Sequence, residues 1–164
     1  MRITYDTGTE TFDFDNKPGD QLYFAFRHNG KLPVDLRGVT FDYSLKVGDK
    51  VVHSGAFPVA GNYVSTDQDY AEVVRVPCLA DEEYTLHVHA EKATRTAERT
   101  LTTREKTDAF SYKAPRPTKP YESWTWATAD RRWEAPVAYP DDGAMHEWDE
   151  KAQKWTSATL EAAR

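Results

Sequence analysis

Two histidines, His87 and His89, stand two residues apart, and in an extended strand that spacing puts both imidazoles on one face, where they could share a metal ion. The inward positions of the same strand fall to Tyr84, Leu86, Val88 and Ala90, so both histidines are expected in solvent, and the spacing places no third ligand. Asp13, Asp15 and Asp20 suggest a calcium loop, but Lys17 and Pro18 stand where such a loop needs an oxygen ligand and a glycine. Asp67 and Asp69 read as a solvated loop. Glu82-Glu83 and Asp141-Asp142 offer paired carboxylates, yet glycosidase chemistry needs its two acids at a fixed separation across a cleft, and charged turns account for adjacent acids more simply. Cys78 is the only cysteine, so an internal disulfide and a multi-cysteine zinc site are both excluded; after Pro77 it reads as a small buried hydrophobe. The G-x-S-x-G elbow, phosphate loop, dinucleotide fingerprint and H-E-x-x-H are all missing. The expectation is a protein that is not an enzyme and uses no cofactor or metal.

The residue types best suited to recognition are aromatic. All five tryptophans, Trp124, Trp126, Trp133, Trp148 and Trp155, lie in the last third of the chain. Aligning Trp126 with Trp148 also aligns Trp133 with Trp155, because WATADRRW and WDEKAQKW share one tryptophan spacing around a polar middle. The tail therefore holds two copies of a small unit. Between them Pro136, Pro140 and Gly143 fix a bent, non-helical path. Flanking strand and turn residues favour a short hairpin whose two tryptophans clasp across the strands, over a helical turn with the rings at i and i+7. Trp124, Trp126, Trp133, Pro136, Tyr139, Pro140, Trp148 and Trp155 are the candidate protein-interface residues, with packing inside the tail as the competing role for any one ring.

These residues need elements to hold them. Val39, Phe41, Tyr43, Leu45 and Val47 alternate with polar neighbours, Gly48-Asp49 supplies a two-residue turn, and Lys50 to Ser54 returns as the partner strand. Further strands are predicted over 20–28, 70–76, 83–91 and 97–104, with short ones near 2–5 and 11–14, at the spacing of a sandwich or barrel. Tyr84, placed to open a strand after a turn, predicts a tyrosine corner whose hydroxyl bonds back to nearby backbone, as in immunoglobulin-like and fibronectin-like sandwiches. The expected fold is an all-β, immunoglobulin-like/fibronectin-like β-sandwich over 1–110 with a small Trp-rich appendage of short hairpins. Pro115, Pro117 and Pro120 mark 111–121 as a proline-rich linker, followed by the repeat module at 122–156 and a flexible tail at 157–164.

Composition agrees with this division. Apolar residues make up 39% of the 164, yet aromatics reach 13%, so the cores must be built from few, large rings. A net charge of −6 opposes a polyanionic partner, and neither a long apolar leader nor a membrane-length apolar run is present. The expectation is a protein made in the cytoplasm, with no nucleic-acid or membrane partner. A module this small is marginal alone and is expected to pack on the sandwich or on a neighbouring chain.

The run SWTWATADRRWEAPVAYPDDGAMHEWDEKAQKW resembles the tail-assembly-chaperone-like module of phages, on Trp133, Pro136, Tyr139, Pro140, Asp142, Gly143, Trp148, Asp149, Glu150 and Trp155. Met145 and His146 stand where that module more often has an aromatic residue. Similar modules end tail-fibre and other virion proteins. Residues 11–54 resemble the N-terminal, fibre-attachment domain of baseplate upper proteins, with Asp35, Leu36 and Gly38 carrying the likeness. The resemblances imply a structural protein of a tailed phage virion, a tail or baseplate adaptor or fibre component. Its partners would be other phage virion proteins, in a homo-oligomer or symmetric array within the particle. The alternatives are a capsid decoration or cement protein, a soluble tail assembly chaperone, and a carbohydrate-binding module.

Overall fold

The computed structural model describes residues 1–15, 17–32, 34–58, 63–64, 72–95 and 101–158, and divides the chain into two compact units, Met1–Ala114 and Pro115–Arg164. The first is a β-sandwich. One sheet has the order β2-β1-β3-β8, from β1 (Arg2–Asp6), β2 (Thr11–Phe14), β3 (Gln21–Arg27) and β8 (Glu72–Arg75). The other has the order β10-β9-β5-β6, from β5 (Val39–Val47), β6 (Lys50–Pro58), β9 (Glu83–Arg95) and β10 (Leu101–Lys113). β4 (Val34–Asp35) and β7 (Tyr63–Val64) form a separate two-stranded sheet. Asp67 and Asp69 lie outside the described residues, as do parts of the strands predicted at 70–76 and 97–104.

Period-2 alternation does what it predicts. Leu22, Phe24, Phe26, Phe41, Tyr43, Leu45, Tyr84, Leu86 and Val88 are all buried, and Val74 is partly buried against them. Rings from the two sheets interlock: Phe24 meets Phe41 and Tyr43 at 4.9 Å each, and Phe26 meets Phe41 edge-on at 5.9 Å. Each such buried side chain stabilises the fold by roughly 1.5–3 kcal/mol. The Gly48-Asp49 turn joins β5 to β6 as expected, with Gly48 at φ 56°. A bulge at Leu45/Lys46 then shifts the β5–β6 register.

Tyr84 forms its corner, accepting a hydrogen bond from the backbone N–H of Leu79 at 2.9 Å while its ring is 1% exposed. Cys78 is half-buried against the same core, and burial pushes its thiol up from the ordinary range. One pairing departs from a purely antiparallel sandwich, because β1 runs parallel to β3 while antiparallel to β2. The chain leaves β2 beside the start of β1 and enters β3 at that same end, so β3 must run in the direction of β1.

Two boundaries differ from expectation. β10 starts at Leu101 and runs to Lys113, three residues into the segment read as linker. Ala114, 1% exposed, still belongs to the sandwich: its N–H donates to Glu82 and its carbonyl accepts from Asp81. Residues 115–121 are part of the second unit rather than a spacer outside both. That unit contains β11 (Thr125–Ala127) paired with β12 (Arg132–Glu134), and β13 (His146–Asp149) paired with β14 (Lys154–Ser157). Both hairpins of the appendage are thus present.

Candidate tryptophan cleft

The sequence repeat is a repeat of geometry. In each hairpin the two tryptophans are directly opposed across the strands, Trp126 with Trp133 and Trp148 with Trp155. Their rings meet edge to face at 5.3 Å and 72° in the first, and at 5.2 Å and 70° in the second. Each hairpin closes through a polar loop whose last residue takes a left-handed conformation, Arg131 at φ 52° and Gln153 at φ 49°. In the second loop Asp149 adds a cap, accepting from the N–H of Ala152 at 2.9 Å.

Each hairpin also holds a proline-bearing segment that precedes it. The indole N–H of Trp133 donates to the carbonyl of Pro117 at 2.8 Å, and that of Trp155 donates to the carbonyl of Val137 at 2.9 Å. Arg116 and Lys119 sit over the rings of Trp126 and Trp133, at 5.0 and 5.7 Å from their centroids. Proline explains why these segments can be gripped by so little. Its fixed φ holds the chain extended with carbonyls turned outward, so little entropy is lost when an indole binds one.

The two repeats are tied together. Trp124 packs edge-on against Trp148 at 6.2 Å and Trp155 at 6.0 Å. Glu150 accepts from the backbone N–H and hydroxyl of Ser123 and from the indole N–H of Trp148. These bonds, Ser123 first, hold its carboxyl below the ordinary glutamate range. Tyr139 lies against Trp155 at 4.8 Å, and its hydroxyl donates to the carbonyl of Ala144 and accepts from the N–H of His146. Asp142 accepts from the N–H of Ala144 next to Gly143 at φ 73° and bonds His146 Nε2. The acids and turn residues of the sequence pattern thus have internal work.

An open cleft of about 480 Å³ remains, lined among others by Trp124, Trp133, Glu134, Val137, Tyr139 and Trp155. Val137 and Tyr139, although tied to Trp155, are still 50% and 52% exposed, which leaves apolar surface open along the cleft. Comparison with family models, with curated proteins and with solved structures finds no match. The site therefore stands on its geometry.

Of the eight expected interface residues, Trp124, Trp133, Tyr139 and Trp155 line the cleft. Trp126 is half-buried behind Trp133, Pro136 is exposed, and Pro140 is half-buried. Trp148 is placed differently: at 6% exposure, with Trp124 and Trp155 against it and its N–H satisfied by Glu150, it belongs to the interior of the module. Val137 is one of the cleft residues that the sequence reading did not single out, with Arg132, Glu134, Ala135 and Ala138, although its position between Pro136 and Pro140 marks it as exposed chain.

Two acidic side chains near the N-terminus, Asp6 and Glu10, have partners within the sandwich. Asp6 accepts backbone N–H bonds from Gly8, Thr9, Asn29 and Gly30. Partial burial alone would raise its pKa, but these four bonds outweigh it and pull the group down to about 2. Glu10 pairs with Arg104 at 3.1 Å. His87 and His89 share the outward face of β9 as predicted, but His89 Nδ1 lies 2.6 Å from Asp42 on β5.

Proposed function

We propose that this chain is a non-enzymatic structural protein of a tailed phage virion, an adaptor or fibre component of the tail or baseplate. In this reading the sandwich is one docking body and the Trp-rich module clamps a neighbouring virion protein. The observation that carries it is the cleft: Trp133, Tyr139 and Trp155, three of the residues that resemble a phage module, line one open aromatic surface together with the exposed Val137. Aromatic anchors on a braced scaffold suit an interface, because they bury large area while losing little conformational freedom. The immunoglobulin-like or fibronectin-like assignment of the sandwich belongs to the same proposal and is supported by the corner at Tyr84. Sugar stacking is the second reading, favoured by Trp133 beside the polar pair Arg132 and Glu134, which bond each other at 3.1 Å.

Mass spectrometry of purified particles tests the leading reading, with the expected result that the protein is a stoichiometric component. Its absence from particles would leave the assembly-chaperone role in its place. Tyr139→Ala and Val137→Asp are expected to reduce incorporation while the purified variants stay folded. Quenching of tryptophan emission by host polysaccharide, with incorporation unchanged in both variants, would favour the sugar-binding reading instead.

A further inference from the structure

The outward face of the β10-β9-β5-β6 sheet carries a group of side chains outside the cleft. His89 and Glu91 are two residues apart on β9, hence on one face, and Glu105 of β10 is the direct cross-strand partner of Glu91. The ligand atoms of His89, Glu91 and Glu105 lie within 4.8 Å of one another. Two carboxylates directly opposed on a sheet repel, and among the described residues neither has a hydrogen bond or an ion pair. By register, their neighbours on that face are Thr40, Asp42, Thr103 and Thr107, none of them a cation. Among the described residues no lysine or arginine is set by register to balance the two carboxylates.

A further residue, outside the trio, prepares the histidine. Asp42 Oδ2 lies 2.6 Å from His89 Nδ1. When Nδ1–H donates to that carboxylate, the lone pair of the imidazole is on Nε2 and the ring is held in one orientation, which is the carboxylate support that metal-bound histidines commonly have. We propose that His89, Glu91 and Glu105 bind a divalent transition-metal ion, Zn²⁺ by preference, with Asp42 as the positioning residue. One imidazole and two carboxylates suit zinc better than calcium or magnesium, which take oxygen ligands. Three protein ligands leave coordination positions for water. The ion braces β9 to β10 where the hairpin is most exposed, since Leu101 to Ala109 are all exposed. This inference is independent of the clamp and stands or falls apart from it.

Isothermal titration of the full chain with Zn²⁺ and separately with Ca²⁺ tests it, with melting temperature as a second readout. One equivalent of Zn²⁺ is expected to bind and to raise the melting temperature, with Ca²⁺ much weaker. His89→Ala and Glu105→Gln are expected to remove binding and the thermal shift, and Asp42→Asn to weaken binding by about 10–100-fold. His87→Ala is expected to change nothing. Circular dichroism of each apo variant verifies that the sheet is intact. Equal uptake of both ions, Zn²⁺ binding unaffected by His89→Ala, or an equal loss in His87→Ala would overturn the assignment.

Discussion

Asp6 shows how one carboxylate can staple two turns. Its folded pKa of about 2 lies below the ordinary 3.8, so its stabilising contribution is complete above pH 4 and is lost as pH falls from there towards 2. Asp6→Ala should therefore unfold at lower urea than the parent at neutral pH, and the gap between the two midpoints should narrow as pH falls through that window. A gap independent of pH would assign the loss to packing. The indoles give a second contrast. Trp133 and Trp155 donate to carbonyls, whereas the N–H of Trp126 is buried with no acceptor among the described residues. Trp133→Phe and Trp155→Phe should each cost about 1 kcal/mol more than Trp126→Phe in chemical denaturation, because only they forfeit a hydrogen bond. Little of this was legible in the sequence. Tyr84 was, since its corner closes within five residues; Asp6 was not, since two of its four donors come from Asn29 and Gly30.

Among the elements, alternation disclosed β5 and β9 because one face of each is buried, and tryptophan spacing disclosed both tail hairpins. β10 was mostly hidden for the same physical reason inverted. It is an edge strand exposed from Leu101 to Ala109, held there by its ladder to β9, so no hydrophobic pattern had to be encoded. The parallel partnership of β1 with β3 follows from where β2 ends, which propensity does not carry. Gly38 is the element-scale test. It has φ +76°, a Cβ there would lie 2.4 Å from the carbonyl oxygen of Ala93, and its own carbonyl accepts from the N–H of Ala93 at 2.8 Å. Gly38→Ala must strain the backbone and push β9 away from the β5 entry, at a cost of about 2 kcal/mol or more. Thermal denaturation of the variant measures it, and an unchanged melting temperature would refute the constraint.

For the whole molecule, the division after Ala114 has a direct consequence. The last hydrogen bonds of the sandwich within this stretch are those of Ala114 to Asp81 and Glu82, and the proline segment that follows is gripped by Trp133 within its own unit. Deleting 116–164 should leave a sandwich that melts cooperatively and keeps its dispersed amide spectrum, and under the proposed clamp function the truncated protein would no longer enter particles. Loss of the dispersed spectrum would mean that the tail completes the sandwich core. The proline cluster announced a boundary from sequence, but not that the segment is a bound strap, because its partner Trp133 lies 16 residues further on and the contact is a single indole bond to a main-chain carbonyl.

The same separation makes the chain its own optical instrument. Every tryptophan belongs to the C-terminal unit, while the sandwich has only tyrosine and phenylalanine as chromophores. Light absorbed at the red edge, beyond the tyrosine band, therefore reads out the C-terminal unit alone, and its edge-to-face indole contacts should give exciton-split signals in the near ultraviolet. Melting or partner capture at the module can be followed in the unlabelled protein without interference from the body that carries it.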